Sequence, residues 1–516
     1  MSRSFYARLH RRFGPKLSGK ERYERAERAQ RAFRERLPYP LGVPPERDQP
    51  SIGWTVAVVG GGFAGLCAAM QLLSKRYTVR VFEAGPVVGG RVSTVVDSVV
   101  KGRLIEAGAE LIGANHHHWI ELANDPEFLL GFSVLTSEDQ FGGSKLEMPI
   151  YLDGKLQPPE VLEALDKRMT AILKVVEERD AATIADADAP WDAEKASTWD
   201  GMSVYQGLDE IMRENPDPID PLVWKAFDIE FENNQTVGFT QQSYLSLLAA
   251  VKGGSMEDTE LAYWTETEVY RCERGNQALA TAMASRITPQ LISLNDAVTR
   301  IDFRKYPGQV EVTAMSGAQK FDYVVLAVPP TVWHRITFTD APPGGDIGMG
   351  PAVKFLSPVK RRFWITDKKA PSGMSETLGM TWEGTDNQIG ATDALDLSVF
   401  SGGRFAVEAM QHKSNPQQYY ESKLVTMFPS YPQSVADFGR FVNWPEEHWI
   451  GCGYSCPRVR QVMTSGKLLN QMFLDRLAFA GEHTSMAYFG YMEGALQSGY
   501  LAAERIDGKA RSAPRP

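Results

Sequence analysis

The stretch Thr55-Val56-Ala57-Val58-Val59-Gly60-Gly61-Gly62-Phe63-Ala64-Gly65 runs from a short apolar segment into glycines and then into an apolar helix, about Ala64 to Leu73. Small and β-branched apolar residues in so short a run form a strand buried on both faces. A second strand, Thr78 to Glu83, follows the helix. Strand, glycine turn, helix and strand within about 30 residues make a βαβ unit. The uncharged run Ile52 to Ser74 is long enough to resemble a membrane span, but its Gly60-Gly61-Gly62 centre assigns it to this unit.

The spacing Gly60-x-Gly62-x-x-Gly65 has a physical purpose at each glycine. The first allows the tight turn, the second lets the backbone approach a pyrophosphate, and the third lets helix and strand pack closely. The helix N-terminus then offers unpaired N–H groups and a partial positive charge to phosphates. Glu83 ends the second strand 83 − 60 = 23 residues after the first glycine, where an acid accepts hydrogen bonds from a ribose. A carboxylate there, rather than an arginine, disfavours a 2′-phosphate. Gly89-Gly90-Arg91 follows directly, and Arg91 is within reach of a phosphate. A second strand end, Phe479-Ala480-Gly481-Glu482, supplies an element suited to a ribityl chain. The dinucleotide implied is therefore FAD.

Outward from this unit the chain is ordinary in composition and uneven in charge. Of 516 residues, 43% are hydrophobic and 23% charged, enough to build a large core. The formal charge is 55 − 64 = −9, but residues 1–40 carry twelve Arg and Lys against four Glu, so the remainder is −17. An acidic body argues against broad nucleic-acid binding. The basic arm reads as a charged helix, residues 17–36, packed on the acidic body of its own chain or of a partner. Prolines at 38, 40, 44, 45 and 50 make residues 37–51 a linker. Arg11-Arg12 lacks the apolar stretch of a twin-arginine signal, and no targeting segment or membrane anchor stands out. Cys67, Cys272, Cys452 and Cys456 form neither a disulfide framework nor a zinc ribbon, which fits a reducing, cytoplasmic setting. His116-His117-His118 cannot converge on one ion from a helix or strand, so it reads as a polar loop entering a helix at Trp119, and no metal is expected.

Residues 155–255 look mostly helical, 290–330 return to strands, 350–450 mix strands and loops, and 477–507 read as strand, turn and long helix. The alternation predicts an α/β fold of two interleaved domains. A Rossmann-like FAD-binding domain takes 51–120, 266–335 and 449–507. A substrate-binding domain, part mixed sheet and part helical, takes 121–265 and 336–448. An N-terminal arm and linker, 1–50, and a tail, 508–516, complete the chain.

These motifs, together with Gly108-Ala109-Glu110-Leu111-Ile112-Gly113, Ala189-Pro190-Trp191, Trp199-Asp200-Gly201-Met202-Ser203, Ala327-Val328-Pro329-Pro330, Lys354 nine residues before Phe363-Trp364, and Gly490-Tyr491-Met492-Glu493-Gly494-Ala495, give the sequence a strong resemblance to the flavin amine oxidase family, which includes monoamine, polyamine and L-amino-acid oxidases. The resemblance covers nearly everything from about 50 to 507. It implies that Gly60, Gly62, Ala64 and Gly65 lie at the pyrophosphate, with Glu83 and Ala84 at the adenosine ribose. Gly90 and Arg91 belong on the phosphate side, Glu110 and Leu111 along the flavin, and Val298 at adenine. Gly481 and Glu482 fall at the ribityl or pyrophosphate, and Gly490, Tyr491, Met492 and Ala495 at the isoalloxazine.

The chemistry it implies is removal of a hydride from a carbon bearing a neutral amine, followed by imine hydrolysis and reoxidation by O2 to hydrogen peroxide. Lys354 matches the family lysine that holds a water at the flavin. Tyr454 and Tyr491 match the aromatic walls around the substrate amine. Monoamine oxidases attach flavin through a cysteine immediately before that first tyrosine; here the position is Gly453, which implies non-covalent FAD.

The basic helical arm and the lack of a membrane tail resemble soluble bacterial L-amino-acid oxidases, so an L-amino acid is the expected substrate and a homodimer the expected assembly. Many such enzymes clamp the substrate carboxylate with an arginine where this chain has Leu111. Trp224 reads as either a pocket wall or a core residue. An amine or polyamine oxidase, an amino-acid monooxygenase and a redox-inactive escort protein of small GTPases stand as the other readings.

Overall fold

The computed structural model describes residues 4–14, 18–36, 41, 51–96, 98–134, 146–386, 388 and 395–512. Apart from Leu41 and Ser51, the proline-rich linker lies outside them.

The strand Thr55–Val59 (β1) pairs in parallel with Thr78–Phe82 (β2) on one side and with Tyr323–Leu326 on the other. Ile292–Ser293 and Leu477–Phe479 extend the sheet at its two edges, giving five parallel strands drawn from widely separated parts of the chain. Val56, Ala57 and Val58 are each 0% exposed, as a strand covered on both faces requires. Burying each valine side chain contributes about 1.5–3 kcal/mol. The helix Phe63–Ser74 (α3) lies on this sheet, and the long helix Met492–Ser512 packs against it. Their approach depends on Gly499, where a Cβ would stand 2.2 Å from the Ala64 carbonyl oxygen. That last helix continues to Ser512, beyond the 477–507 span read from sequence.

The second half of the molecule is built on a seven-stranded sheet. Its order is Arg440–Asn443, Ala352–Val359, Leu395–Gly402, Gly379–Glu383, Gly373–Ser375, Ile150–Leu152 and Lys155–Leu156. All its pairings are antiparallel except the one between Gly373–Ser375 and Ile150–Leu152. Helices Pro159–Val175, Val204–Glu214, Asp220–Gln235 and Tyr244–Gly253 make the helical part. The helix at Val204 opens with a reciprocal Ser203–Gln206 capping box.

The N-terminal arm differs from its sequence reading. Before the charged helix Gly19–Arg36 (α2) there is a helix Phe5–Phe13 (α1) whose Phe5, Tyr6, Ala7, Arg8 and Leu9 are buried, with Phe5, Tyr6 and Leu9 in the main core. Phe5 N–H donates to Glu230 Oε2 (3.1 Å), and the Tyr6 hydroxyl meets Thr170 Oγ1 (2.9 Å). The high arginine content concealed this apolar face. The charged helix α2 packs on its own chain, where Arg34 Nε lies 2.6 Å from Glu121 Oε2.

Candidate active site

The tight turn after β1 needs its first glycine: Gly60 has φ +109°, and a Cβ there would stand 2.9 Å from the Ala327 carbonyl oxygen. Gly65 faces the strand rather than the cleft, and a Cβ on it would come 1.9 Å from the Gly60 carbonyl oxygen. No side chain caps the start of α3 at Gly62, so the helix end is left open toward the cleft.

From this turn a long cavity runs between the two halves of the molecule. Gly60, Gly62, Ala64, Glu83, Ala84, Gly90, Arg91, Val298, Gly481 and Glu482 line it. Glu110, Leu111, Lys354, Tyr454, Gly490, Tyr491, Met492 and Ala495 line it as well. Two sequence-read residues are not in the lining. Gly65 acts in strand–helix packing, as its spacing suggested. Trp224 packs instead against Tyr205 (ring centroids 4.7 Å) and Phe239 (6.1 Å), outside the lining of this cavity.

Glu83 is fixed by backbone: Gly61 N–H donates to Oε2 (2.7 Å) and Gly85 N–H to Oε1 (2.6 Å). Burial nevertheless raises its carboxyl above the usual range. Glu482 lies at the centre of a polar knot. Arg91 Nη1 donates to its Oε1 (2.6 Å), and the Ser455 hydroxyl and Gly490 N–H donate to Oε2 (2.6 Å each). Burial alone would push this carboxyl up, but Arg91 and these donors hold it below its ordinary value. Arg91 also donates to the Gly453 carbonyl (3.0 Å), tying the glycine turn to the segment that carries Tyr454.

Lys354 sits on the strand Ala352–Val359, in register with Phe400 and Val442. Its ammonium donates to the carbonyls of Glu106 (2.9 Å) and Gly108 (2.9 Å) and to Glu110 Oε2 (3.0 Å). The Trp382 indole N–H also donates to Glu110 Oε2 (3.2 Å), and Arg271 Nη1 lies 3.6 Å from Oε1.

The Tyr454 hydroxyl donates to the Asn234 carbonyl (2.7 Å), and its ring stacks with Phe400 (6.4 Å, 11°). The Tyr491 ring lies against His116 (5.2 Å). Burial holds both phenols well above their ordinary pKa, so both stay neutral at working pH.

The three adjacent histidines face different partners. His116 packs on Tyr491, His117 Nδ1 meets Gln30 Oε1 of α2 (3.0 Å), and His118 Nδ1 lies 2.7 Å from Glu493 Oε1. Glu493 also accepts the N–H groups of His118 and Trp119 at the start of the short helix His117–Ala123.

Several lining residues carry no local signature in the sequence. Met380, Trp382 and Phe400 come from neighbouring strands, with Met380 paired to Phe400 and Trp382 two residues on, on the same face. Their alternation in Gly379-Met380-Thr381-Trp382-Glu383 was the signal available. Asn234, Gln235 and Glu268 come from a helix end and a loop and have none.

The cavity's lining fits FAD: an uncapped helix start and close-approach glycines share it with a buried lysine and two tyrosines. The model of the flavin-containing amine oxidoreductase family matches residues 63–507, and the chain belongs to that family. Its cofactor is FAD. Among relatives, it is 27% identical over 493 residues to a flavin-containing amine oxidase of Danio rerio, covering 88% of this chain and 85% of the relative. It is 25% identical over 490 residues to an L-amino acid dehydrogenase of Synechocystis sp., covering 89% and 96%. In fold it is similar to putrescine oxidase (TM-score 0.72, 20% identity, 89% of this chain and 100% of that one). The same holds for cyclohexylamine oxidase from Brevibacterium oxydans IH-35A (TM-score 0.70, 20% identity, 89% and 100%). Among the described residues no helix is long and apolar enough to cross a membrane.

Proposed function

We propose that the protein is an FAD-dependent oxidase of primary amines, converting R–CH(NH2)–R′, O2 and water into the carbonyl compound, ammonia and hydrogen peroxide. The observation that carries this reading is the joining of two neutral tyrosines, Tyr454 and Tyr491, with a buried Lys354 in the lining of the FAD cavity. When bound, FAD supplies the two-electron acceptor that O2 regenerates.

The residues of the chain bind and orient. The open end of α3, with Gly60, Gly62 and Ala64, takes the pyrophosphate beside Arg91, and Gly65 keeps helix and strand close enough to form that turn. Glu83, with Ala84, holds the ribose, and Val298 flanks adenine. Glu482 fixes Arg91, while Gly481, Gly490, Met492 and Ala495 shape the flavin end with Glu110 and Leu111. Tyr454 and Tyr491 hold the amine by their faces without donating a charge that would keep it protonated. Lys354, held by Glu110, places positive charge where reduced oxygen develops negative charge.

Non-covalent attachment is supported by Gly453 preceding Tyr454 and by Cys452 lying outside the cavity lining, its thiol against the Ile450 carbonyl and Thr331. Acid precipitation of the purified protein should leave the flavin in the supernatant.

An L-amino acid remains the second reading, favoured by the Synechocystis relative. The cations in the cavity lining are Arg91, Arg335 and Lys354. Each has a partner in Glu482, His448 or Glu110, so a substrate carboxylate would have to share one of them. A cytoplasmic homodimer completes the proposal, to be checked by light scattering. The deciding experiment is anaerobic addition of L-amino acids and of their decarboxylated amines, following bleaching of the flavin band and then peroxide on readmitting air. Bleaching by amines supports the first reading, bleaching by L-amino acids alone the second, and bleaching by neither overturns both.

A further inference from the structure

We propose that helix α1 clamps the substrate chamber, with Arg8 as a positioning residue. By this reading α1 ties together three elements that carry or brace the cavity wall, and so sets how tightly substrate is held. The proposal rests on the amine-oxidising function above and gives the N-terminal arm a part in it. Among the described residues, none of α1 lines the cavity, so its effect passes through other residues.

Three contacts leave α1 for three different elements. Phe5 N–H donates to Glu230 Oε2 (3.1 Å), and Tyr6 N–H donates to the same carboxylate. Glu230 lies one turn before Asn234 on the helix Asp220–Gln235, and the Asn234 carbonyl accepts the Tyr454 hydroxyl (2.7 Å). Arg8 Nη1 donates to the carbonyl of Thr381 (3.5 Å), the residue between the lining residues Met380 and Trp382. Arg11 Nη2 donates to the Thr265 carbonyl (3.4 Å) of the short helix Ala262–Glu266. The Tyr263 hydroxyl of that helix accepts from Nε2 of the lining residue Gln235 (3.4 Å). α1 is itself anchored to the helix Pro159–Val175, where the Tyr6 hydroxyl meets Thr170 Oγ1 (2.9 Å) and His10 Nδ1 lies 3.5 Å from Asp166 Oδ1.

Packing alone does not account for Arg8. It is 5% exposed, and an apolar side chain of similar length would fill that space without the cost of desolvating a guanidinium. Its hydrogen bond to Thr381 and its attraction to the Glu230 carboxylate offset that cost. A charge kept at such a place fixes a geometry. Glu230, Thr265 and Thr381 are well separated in the chain, and α1 reaches all three within about two turns. A chamber whose walls lose their mutual placement still binds flavin but holds substrate loosely.

The test uses the FAD-loaded full chain, unsubstituted and as Arg8→Met, Arg8→Lys and Arg11→Met. Steady-state kinetics use the amine that bleaches the flavin fastest, and hydrogen–deuterium exchange follows the backbone. Arg8→Met is expected to raise KM about 10-fold, with kcat and flavin content within about 3-fold of the unsubstituted protein. Arg8→Lys, which keeps a charged donor, recovers most of the loss. Arg11→Met, which breaks the tie to Thr265 alone, raises KM about 3-fold and decides the matter should Arg8→Met fail to fold. Amide exchange speeds up in Gly379–Glu383 and in residues 230–235, while β1 and α3 keep their protection. The proposal is overturned by an unchanged KM in the methionine variants, by Arg8→Lys no better than Arg8→Met, or by flavin falling in step with activity. If no amine or amino acid bleaches the flavin of the unsubstituted protein, the function above falls and exchange decides the clamp. Unchanged exchange in both wall segments then overturns it as well.

Discussion

Lys354 and Glu110 form an ion pair of 3.0 Å in which both side chains are buried, in the wall of the cavity. The pair ties the strand Ala352–Val359 to the loop after Glu106, and so joins the seven-stranded sheet to the cofactor-binding half. Removing one member of a buried pair leaves the other uncompensated, at a cost of about 3–5 kcal/mol. Glu110→Ala is therefore expected to lower the thermal midpoint clearly. Lys354→Met should retain flavin but slow its reoxidation by O2 at least about 10-fold. Stopped-flow mixing of the photoreduced protein with aerated buffer checks this, and an unchanged reoxidation rate would remove Lys354 from the oxygen step.

Gly65→Ala should abolish FAD binding. Its methyl group would stand 1.9 Å from a backbone oxygen of Gly60, and neither partner is a flexible side-chain end. The helix would have to withdraw from β1, opening the turn proposed to receive the pyrophosphate. Flavin absorbance per mole of purified protein measures the outcome, and a fully yellow variant would refute it.

Glu230 gives a pH prediction. Its carboxyl is pushed up to about 8 by burial, with Glu268 adding to the rise and Arg8 opposing it. In the unfolded chain it ionises near the ordinary carboxylate value, so in between the folded protein keeps a proton that the unfolded chain has lost. This stabilising contribution is fully present below the ordinary value and is lost as pH rises through about 8. Glu106 and Asp396, each raised to about 7 by burial, act in the same direction. The thermal midpoint should thus fall across neutral pH, and Glu230→Gln should reduce that slope without abolishing it. A variant whose melting curves shift with pH as steeply as before would contradict the assignment.

Much of the cofactor end was legible because its chemistry is local. Gly60, Gly62, Gly65 and Glu83 belong to one βαβ unit, and their spacing alone states what each must touch. Lys354, Tyr454 and Tyr491 were found only through family resemblance, because nothing around a lone lysine or tyrosine says that it lines a cavity. Trp224 and Glu268 show the limit. The tryptophan is a large aromatic on a helix, and only packing tells pocket from core. The glutamate enters the cavity because Ile112 fixes the backbone just beyond it, a contact across more than a hundred residues of chain. Helix α1 was concealed for a different reason: its arginines dominate the composition while Phe5, Tyr6 and Leu9 do the packing.

Glu482→Ala should weaken cofactor retention. It strips Arg91, Ser455 and Gly490 of their common acceptor, leaving a guanidinium in a largely buried site. A loss of at least about 2 kcal/mol corresponds to roughly 30-fold in the dissociation constant for FAD. Titration of apoprotein with FAD, followed by flavin fluorescence, gives the number directly; equal affinity would show that the polar knot serves only the protein.

The parallel sheet has a consequence for synthesis on the ribosome. Its first strand is made near the start of the chain, at Thr55–Val59, and its last, Leu477–Phe479, near the end. The helix Met492–Ser512 that covers α3 is made later still. The nascent chain therefore carries the glycine turn for most of translation with one sheet edge unfilled and α3 uncovered. Flavin capture is therefore expected to wait until residues 477–512 have been made, and a chain stopped before Leu477 is expected to lack the cofactor.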